Sequence, residues 1–582
     1  MRKTKIICTI GPASENKEVM MQLAAQGMNV ARLNFSHGEH SEHKKRIDTV
    51  RQVAAETNRT LALMLDTKGP EIRTGRLQDQ KAILVAGQKF ILTTRAVPGD
   101  EQEVQVSYPQ LPLEVKPGTS ILLSDGLINL TVLETTSTDI TCQVVNGGVL
   151  GEKKGVNVPG VRINMPFLNA KDIADINFGI DQEVDYIAAS FVRKAQDVLE
   201  IRRILEARDA SIDIIAKIES QGGVDHLDEI IKVADGIMVA RGDLGVEIPA
   251  EEVPLVQKKI IAKCSRAGKV VIIATQMLDS MINNPRPTRA EVSDVANAIF
   301  DGADAIMLSG ESAAGKYPVE TVATMARIAK RAEEVLNYQE ILRSKRLQGN
   351  LSVTDAISYA TCATAASLGI SSIITATSSG NTARMVAKYR PRADIIAVTS
   401  NPKVMRRLSL VWGVHPVLTR ETTGTDELFE EALLRCLEIG YINKGDMVVL
   451  TAGSRPGFPG TTNLLKVHVV GDILVQGMGI GSKPVSGKVR VVLREEDLDK
   501  IQPGDILVCR SADKSFAPYL DRLNGLVAEE GGLTSDAAIM GLNTGLQVIV
   551  GASNATHVLE NDMLITIDTA HGRIYSGLAK IL

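Results

Sequence analysis

Eight apolar runs of strand length, each followed by a stretch of helical pattern, constrain this chain more than any other feature. The runs occupy 5–10, 28–34, 60–66, 185–191, 212–219, 236–241, 269–275 and 303–309. They are near-continuous stretches of Val, Ile, Leu, Ala and Met rather than apolar–polar alternations, the pattern of parallel strands buried on both faces. Helical periodicity fills the intervals at 18–25, 42–55, 171–178, 195–207, 226–233, 253–266, 289–300 and 318–335. Eight strand–helix units predict an α/β architecture, a (β/α)8 TIM barrel assembled from 1–69 and 167–335.

The gap between the third and fourth runs has a different texture. Residues 70–166 are rich in Val, Ile, Leu and Thr, punctuated by Gly, Pro, Asp and Asn, with little helical periodicity. This reads as an inserted all-β domain, hung over the C-terminal rim of the barrel where it can serve as a lid. A second α/β pattern covers 336–471, with strands near 372–376, 394–399, 446–451 and 465–470. A further glycine-dense domain covers 477–582. Several domains are the natural expectation for 582 residues.

Composition narrows the function classes. A net charge of −4 gives no electrostatic footprint for nucleic acid or a membrane surface. No apolar run approaches the roughly 18 residues of a spanning helix, and no leader pattern is seen at Met1–Ile6. Cys8, Cys142, Cys264, Cys362, Cys436 and Cys509 are scattered without CxxC spacing, as in a reduced, cytoplasmic protein.

Chemistry in such a barrel sits at the C-terminal ends of the strands. Run five ends in Ala216-Lys217-Ile218-Glu219 and run six in Ala240-Arg241-Gly242-Asp243. Residues two apart in a strand share a face, so Lys217 and Glu219 emerge together. Glu219 and Asp243 then give two carboxylates beside a lysine, a site for a hard divalent ion with positions left for an oxygen-rich, phosphorylated ligand. The same groups would also make an ordinary surface ion cluster. Run two ends in Arg32-Leu33-Asn34-Phe35-Ser36-His37, and run three in Asp66-Thr67-Lys68-Gly69-Pro70-Glu71-Ile72-Arg73. Cationic Arg32, Arg73, Lys217 and Arg241 around carboxylates suit transfer of a phosphoryl group, whose transition state spreads negative charge over several oxygens. Asn34, Ser36, Asp66 and Thr67 supply oxygens for a second, monovalent cation. His37 reads either as a general base or as a polar contact, and Thr275 either as a helix cap or as a proton relay. No P-loop or kinase-type glycine loop is present, so a nucleotide must be held differently.

The ordered motifs ARLNFSHG, LDTKGPEIRTG, KIE, ARGDLGVEI, ATQML and LSGESAAG resemble the pyruvate kinase family over about residues 1–471. The resemblance implies transfer of phosphate from phosphoenolpyruvate to ADP, the last step of glycolysis, in a homotetramer. It implies that Glu219 and Asp243 hold Mg2+ (or Mn2+) and that Asn34, Ser36, Asp66 and Thr67 hold K+. Lys217, Thr275 and Arg73 become catalytic. Arg32, Ala240, Gly242 and Asp243 join Lys217 and Thr275 at the substrate. Arg32, Asn34, His37, Arg73 and Lys154 meet the nucleotide. An acidic Glu71 is similar to the potassium-requiring members. The loop Thr377-Ser378-Ser379-Gly380-Asn381-Thr382 resembles the family's site for a phosphorylated effector, closed over by 452–457. The tail resembles the swivelling phosphohistidine domain of phosphoenolpyruvate-utilising enzymes, through Pro484-Val485-Ser486-Gly487 and the run Glu530–Ala538, but Asp536 stands where the phosphocarrier histidine belongs. His557 lies in unmatched context. A magnesium-dependent barrel lyase or aldolase acting on a pyruvate-like enolate is the competing class; it would not need the lid, the arginine pair or the monovalent-ion ligands.

Overall fold

A computed structural model describes the whole chain except residues 162, 346–351, 423, 454–461, 472 and 580–582. It divides into two compact units, 1–337 with 402–414, and 338–401 with 415–582.

In the first unit eight parallel strands close into a barrel: Lys5–Thr9, Val30–Asn34, Ala62–Asp66, Tyr186–Ala189, Asp213–Ile218, Gly236–Ala240, Val270–Ala274 and Ala305–Leu308. They fall within the eight expected runs. Every strand residue of the first, third, fourth, fifth, sixth, seventh and eighth is buried. That explains why the runs carry no alternation: one side chain faces the barrel interior and the next faces a helix. The helical stretch expected at 226–233 is the helix Leu227–Val233, and an additional short helix, Gln221–Asp225, precedes it, the two meeting at His226.

A repeated side-chain device pins the N-terminal end of the barrel. The residue just before each even-numbered strand is Asn29, Asp185, Asp235 or Asp304. Its side chain accepts the backbone N–H of Ile6, Leu63, Ile214 or Val271 on the preceding strand, at 3.0, 2.8, 2.8 and 3.0 Å. Its own N–H donates to the carbonyl of that same residue. Each pair of strands is thus tied by two reciprocal bonds where the ladder would otherwise fray.

Residues 70–166 form a six-stranded sheet and a two-stranded one around their own apolar core, which includes Phe90, Leu92, Ile121, Leu130 and Ile140. Asn157 Nδ2 donates to Glu247 Oε1 at 2.9 Å, and Arg193 donates to the carbonyls of Ile163 and Met165. These bonds tie the insert to the segments that follow barrel strands four and six.

The second unit holds a five-stranded sheet, in the order Val414–Leu418, Asp394–Thr399, Ser372–Ala376, Met447–Gly453, Thr462–Val469. Val414–Leu418 lies outside the expected strands: its His415-Pro416 breaks the apolar run, and a proline is tolerated there because the strand is an edge. An eight-stranded sheet built from Ile473–Ser576 follows. Ser535 caps helix Asp536–Thr544, leaving Asp536 exposed in its first turn. A carboxylate there is favoured by the helix dipole. All six cysteines are free and buried. No helix among the described residues is long and apolar enough to cross a membrane.

Candidate active site

Parallel register brings the strand-end residues together. Asn34 is paired with Asp66, Asp66 with Ala188, Ala189 with Ala216, and Ala240 with Ala274. Side chains far apart in sequence therefore share one rim. At its centre the Lys217 ammonium lies 3.1 Å from Asp66 Oδ1 and 3.0 Å from Glu219 Oε1, and donates to Ser190 Oγ at 2.7 Å. Burial by itself would lower the Lys217 pKa, but the Asp66 and Glu219 carboxylates outweigh it and hold the group well above the ordinary lysine range. The neighbouring carboxylates thus favour its charged form. Asp66 experiences the reverse: burial would raise its pKa, and Arg32 with Lys217 brings it below the usual value. Arg32 Nε reaches Asp66 Oδ2 at 2.6 Å, and Arg32 also donates to Thr9 Oγ1 at 2.8 Å.

Burial pushes Glu219 up to about 7 and raises Asp243 as well. The two carboxyls are close enough to share a hydrogen bond. Two acids this near ionise together most readily with a cation between them. Their oxygen-only chemistry fits a small hard ion such as Mg2+. Among the described residues no group of three or more His, Cys, Asp or Glu converges, so such an ion would complete its shell with water and substrate. Asn34, Ser36, Asp66 and Thr67 each carry a side-chain oxygen. Asn34 Oδ1 accepts the Ser36 N–H at 3.1 Å, and Thr67 is held through Ser190 and Ala188. Carbonyl and carboxylate oxygens keep a second lone pair after one hydrogen bond, so this set fits a weakly coordinated monovalent cation.

Just beyond strands four and seven the backbone is strained. Thr275 has φ +67° and Gln276 φ +52°, and Phe191 at the end of strand four has φ +54°. Such values are rare for a β-branched or aromatic residue, and surrounding structure must enforce them. Phe191 N–H donates to Glu219 Oε2 at 2.6 Å. Thr275 Oγ1 accepts the Gly242 N–H at 2.7 Å and donates to the Ala274 carbonyl at 2.6 Å. Thr275 therefore does cap a helix, Arg241–Glu247, but from the neighbouring strand. Both open readings of this threonine place its hydroxyl beside the same N–H groups. Arg241 departs from its expected part as a free cation. Its guanidinium binds Asp294 at 2.7 Å, the Thr275 carbonyl at 2.9 Å and Met277 Sδ at 2.8 Å, so it builds the strained turn. Buried Glu311 supports the other side, accepting the N–H groups of Leu278 and Ser309. No sequence pattern marks Phe191 or Ser190 as site residues; only the tertiary contacts do, whereas Glu311 lies in the strand-end motif LSGESAAG.

Arg73 reaches Glu71 Oε2 at 2.7 Å and the Lys153 carbonyl at 2.9 Å, and bridges in antiparallel fashion to Gly155, which brings Lys154 alongside. Gly69, with φ +72°, lets the chain leave strand three close against Ser190: a Cβ there would lie 2.9 Å from Ser190 Cβ. His37 is exposed, and its carbonyl accepts from His43. In the second unit Thr377 Oγ1 accepts the Gly380 N–H at 2.9 Å and Ser379 Oγ accepts the Asn381 N–H at 3.4 Å. Thr382 is buried with its hydroxyl 2.7 Å from that of Thr462, a contact that braces the loop. Of the loop 452–457, Ser454–Gly457 lie outside the described residues.

Comparison with known proteins agrees with this geometry. Residues 1–322 match the model of the pyruvate kinase barrel domain, 355–468 the pyruvate kinase alpha/beta domain, and 501–572 the mobile domain of PEP-utilising enzymes. The chain is 53% identical over 585 residues to the pyruvate kinase of Geobacillus stearothermophilus, covering 100% of both chains. It is likewise 53% identical over 586 residues to that of Bacillus licheniformis, again with 100% of both covered. A crystal structure of a pyruvate kinase from Cryptosporidium parvum superposes with a TM-score of 0.76 at 41% identity, covering 80% of this chain and 96% of that one. Identity of this level along the whole length, on a barrel with this rim, leaves one assignment: the chain belongs to the pyruvate kinase family of phosphotransferases.

Proposed function

We propose that the barrel rim transfers the phosphoryl group of phosphoenolpyruvate to ADP and then protonates the enolate to pyruvate, the closing step of glycolysis. The observation that carries this is the buried Lys217 ammonium between Asp66 and Glu219, with Asp243 adjoining. A fixed, desolvated cation of this kind acts most strongly on charge that develops on the moving phosphoryl group. Glu219 and Asp243 would hold Mg2+ (or Mn2+), which supplies Lewis-acid polarisation of the substrate oxygens when bound. Asn34, Ser36, Asp66 and Thr67 would hold K+. The backbone at Ala240, Gly242 and Asp243, with the Thr275 hydroxyl, would receive the substrate carboxylate at a helix start, the Gly242 N–H exchanging its Thr275 partner for the substrate. Thr275, held in its strained turn by Arg241, hands a proton toward the enolate. Arg32 contacts the phosphate, and Arg73, Asn34, His37 and Lys154 orient the nucleotide beneath the inserted domain.

Around this site we assign four domains: the barrel from 1–69 and 167–335, the lid at 70–166, an effector-binding domain at 336–471 and the tail at 477–582. A phosphorylated metabolite is the proposed effector at Thr377, Ser378, Ser379, Gly380 and Thr382, acting allosterically in a cytoplasmic homotetramer. With Asp536 in the histidine position and serving as a first-turn helix residue, the tail takes a packing role. ADP-dependent pyruvate formation tests the reading directly. Asp243→Asn should depress turnover by orders of magnitude at saturating magnesium with the fold retained; near-normal turnover in that variant would overturn the site.

A further inference from the structure

We propose that Lys171 is a positioning residue for the turn carrying Asn34, Ser36 and His37, and that it sets the affinity of that turn for a monovalent cation. The inference rests on the reading that Asn34, Ser36, Asp66 and Thr67 hold such an ion. Lys171 lies on helix Ala170–Asp181, after the inserted domain and more than 130 residues from the turn in sequence. Its ammonium donates to the Phe35 carbonyl at 2.8 Å and to Asp175 Oδ2 at 2.6 Å. Asp175 is one helical turn away and its side chain is only 1% exposed. Its other oxygen, Oδ1, is 2.7 Å from His40 Nε2.

Phe35 is the residue between two of the candidate cation ligands, and it is fixed at three points. Its N–H donates to the Asp66 carbonyl at 3.0 Å. Its carbonyl is held by Lys171. Its ring is buried and stacked on His43, 3.9 Å between centroids, with Phe178 at 5.9 Å. His43 Nε2 meets the carbonyl of His37 at 2.9 Å and so secures the far end of the same turn. Asn34 and Ser36 therefore project from a backbone whose position is set by one ammonium and one ring.

Two considerations separate this from an ordinary surface ion pair. An exposed i,i+4 pair contributes little, and its acid is solvated. Here the acid is fully buried, which is costly unless it is paired on every side. Asp175 meets that requirement by holding Lys171 and His40 at once, and the ammonium is thereby aimed at a backbone carbonyl. A monovalent cation on amide and hydroxyl oxygens with a single carboxylate sits in a shallower well, so small displacements of Asn34 and Ser36 weaken it more than they weaken a divalent ion on two carboxylates.

The experiment compares wild type with Lys171→Met, which keeps the stem and loses the donor, and Lys171→Arg, which keeps a donor. Potassium activation is titrated in a tetramethylammonium background, and thallous ion binding is measured by equilibrium dialysis without substrates. Lys171→Met should raise both the half-saturating potassium concentration and the thallous dissociation constant by about five- to tenfold, less than a fully buried charged hydrogen bond because the lysine side chain is 47% exposed. The half-saturating magnesium concentration should stay within about threefold, because Glu219 and Asp243 are not on this turn. Lys171→Arg should recover most of the cation affinity. Should Lys171→Met fail to fold, Asp175→Asn is read in the same way, with a smaller shift of about threefold expected. An unshifted potassium response in a folded Lys171→Met, with a potassium-dependent wild type, overturns the clamp alone. A wild type indifferent to potassium in both assays overturns the ion site and the clamp together.

Discussion

Replacing Lys217 by methionine removes the charge at the centre of the rim while keeping most of the side-chain volume. The ammonium sits 3.1 and 3.0 Å from the Asp66 and Glu219 carboxylates. At an effective dielectric near 20, each attraction is about 5 kcal/mol before desolvation is subtracted. Asp66 keeps its Arg32 partner at 2.6 Å, so Glu219 is the group left uncompensated. Breaking one buried pair in this way costs about 3–5 kcal/mol. A divalent ion between Glu219 and Asp243 offsets part of that cost. The variant should therefore be less stable than wild type without magnesium, and the difference should narrow when magnesium is added. For catalysis, loss of one preorganised electrostatic contact to the transition state lowers turnover by about 100- to 1,000-fold. Substrate affinity should change far less, because the charge that Lys217 meets grows as the phosphoryl group departs. Steady-state kinetics by coupled pyruvate detection separate turnover from the Michaelis constant, and phosphoenolpyruvate binding measured without ADP gives the ground-state term. A variant with near-normal turnover and a strongly weakened Michaelis constant would refute the reasoning, since it would make Lys217 a uniform binding group.

Activity of the wild type should rise steeply when potassium is added to buffer free of sodium and potassium; full activity without any monovalent cation would remove the role given to Asn34, Ser36, Asp66 and Thr67. Asp304→Ala removes one of the four strand clamps, and chemical denaturation followed by circular dichroism should show a loss of about 1–3 kcal/mol. Burial lowers the pKa of His43. Below the ordinary histidine value of about 6.5, the unfolded chain therefore binds more protons than the folded one, and stability falls as pH drops through that window. His43→Gln should flatten this part of the stability–pH profile; an unchanged slope would show that His43 does not carry it. Thr377→Ala with Ser378→Ala should abolish binding of a phosphorylated effector, as read by calorimetry, and an unaltered affinity would place the regulatory site elsewhere.

The barrel was legible in the sequence because parallel strands buried on both faces write their burial locally, as continuous runs with no alternation. The strand-end motifs were legible for a related reason: once eight runs are in register, their C-terminal residues can only meet at one rim, so Lys217, Glu219 and Asp243 are neighbours by topology. Long-range hydrogen bonding and strain were not legible. Asn29, Asp185, Asp235 and Asp304 look like ordinary turn residues until their partners on the preceding strands are seen. Arg241 reads as a free cation until Asp294, 53 residues away, takes it up and turns it into the support of Thr275. The positive φ of Thr275, Gln276 and Phe191 contradicts their intrinsic preference and exists only because the packed rim enforces it. Lys171 and Asp175 read as one face of a helix, and only folding brings them to Phe35 and His40. Local burial pattern is encoded residue by residue, whereas the partner of a side chain is fixed by which segments the closed barrel presses together.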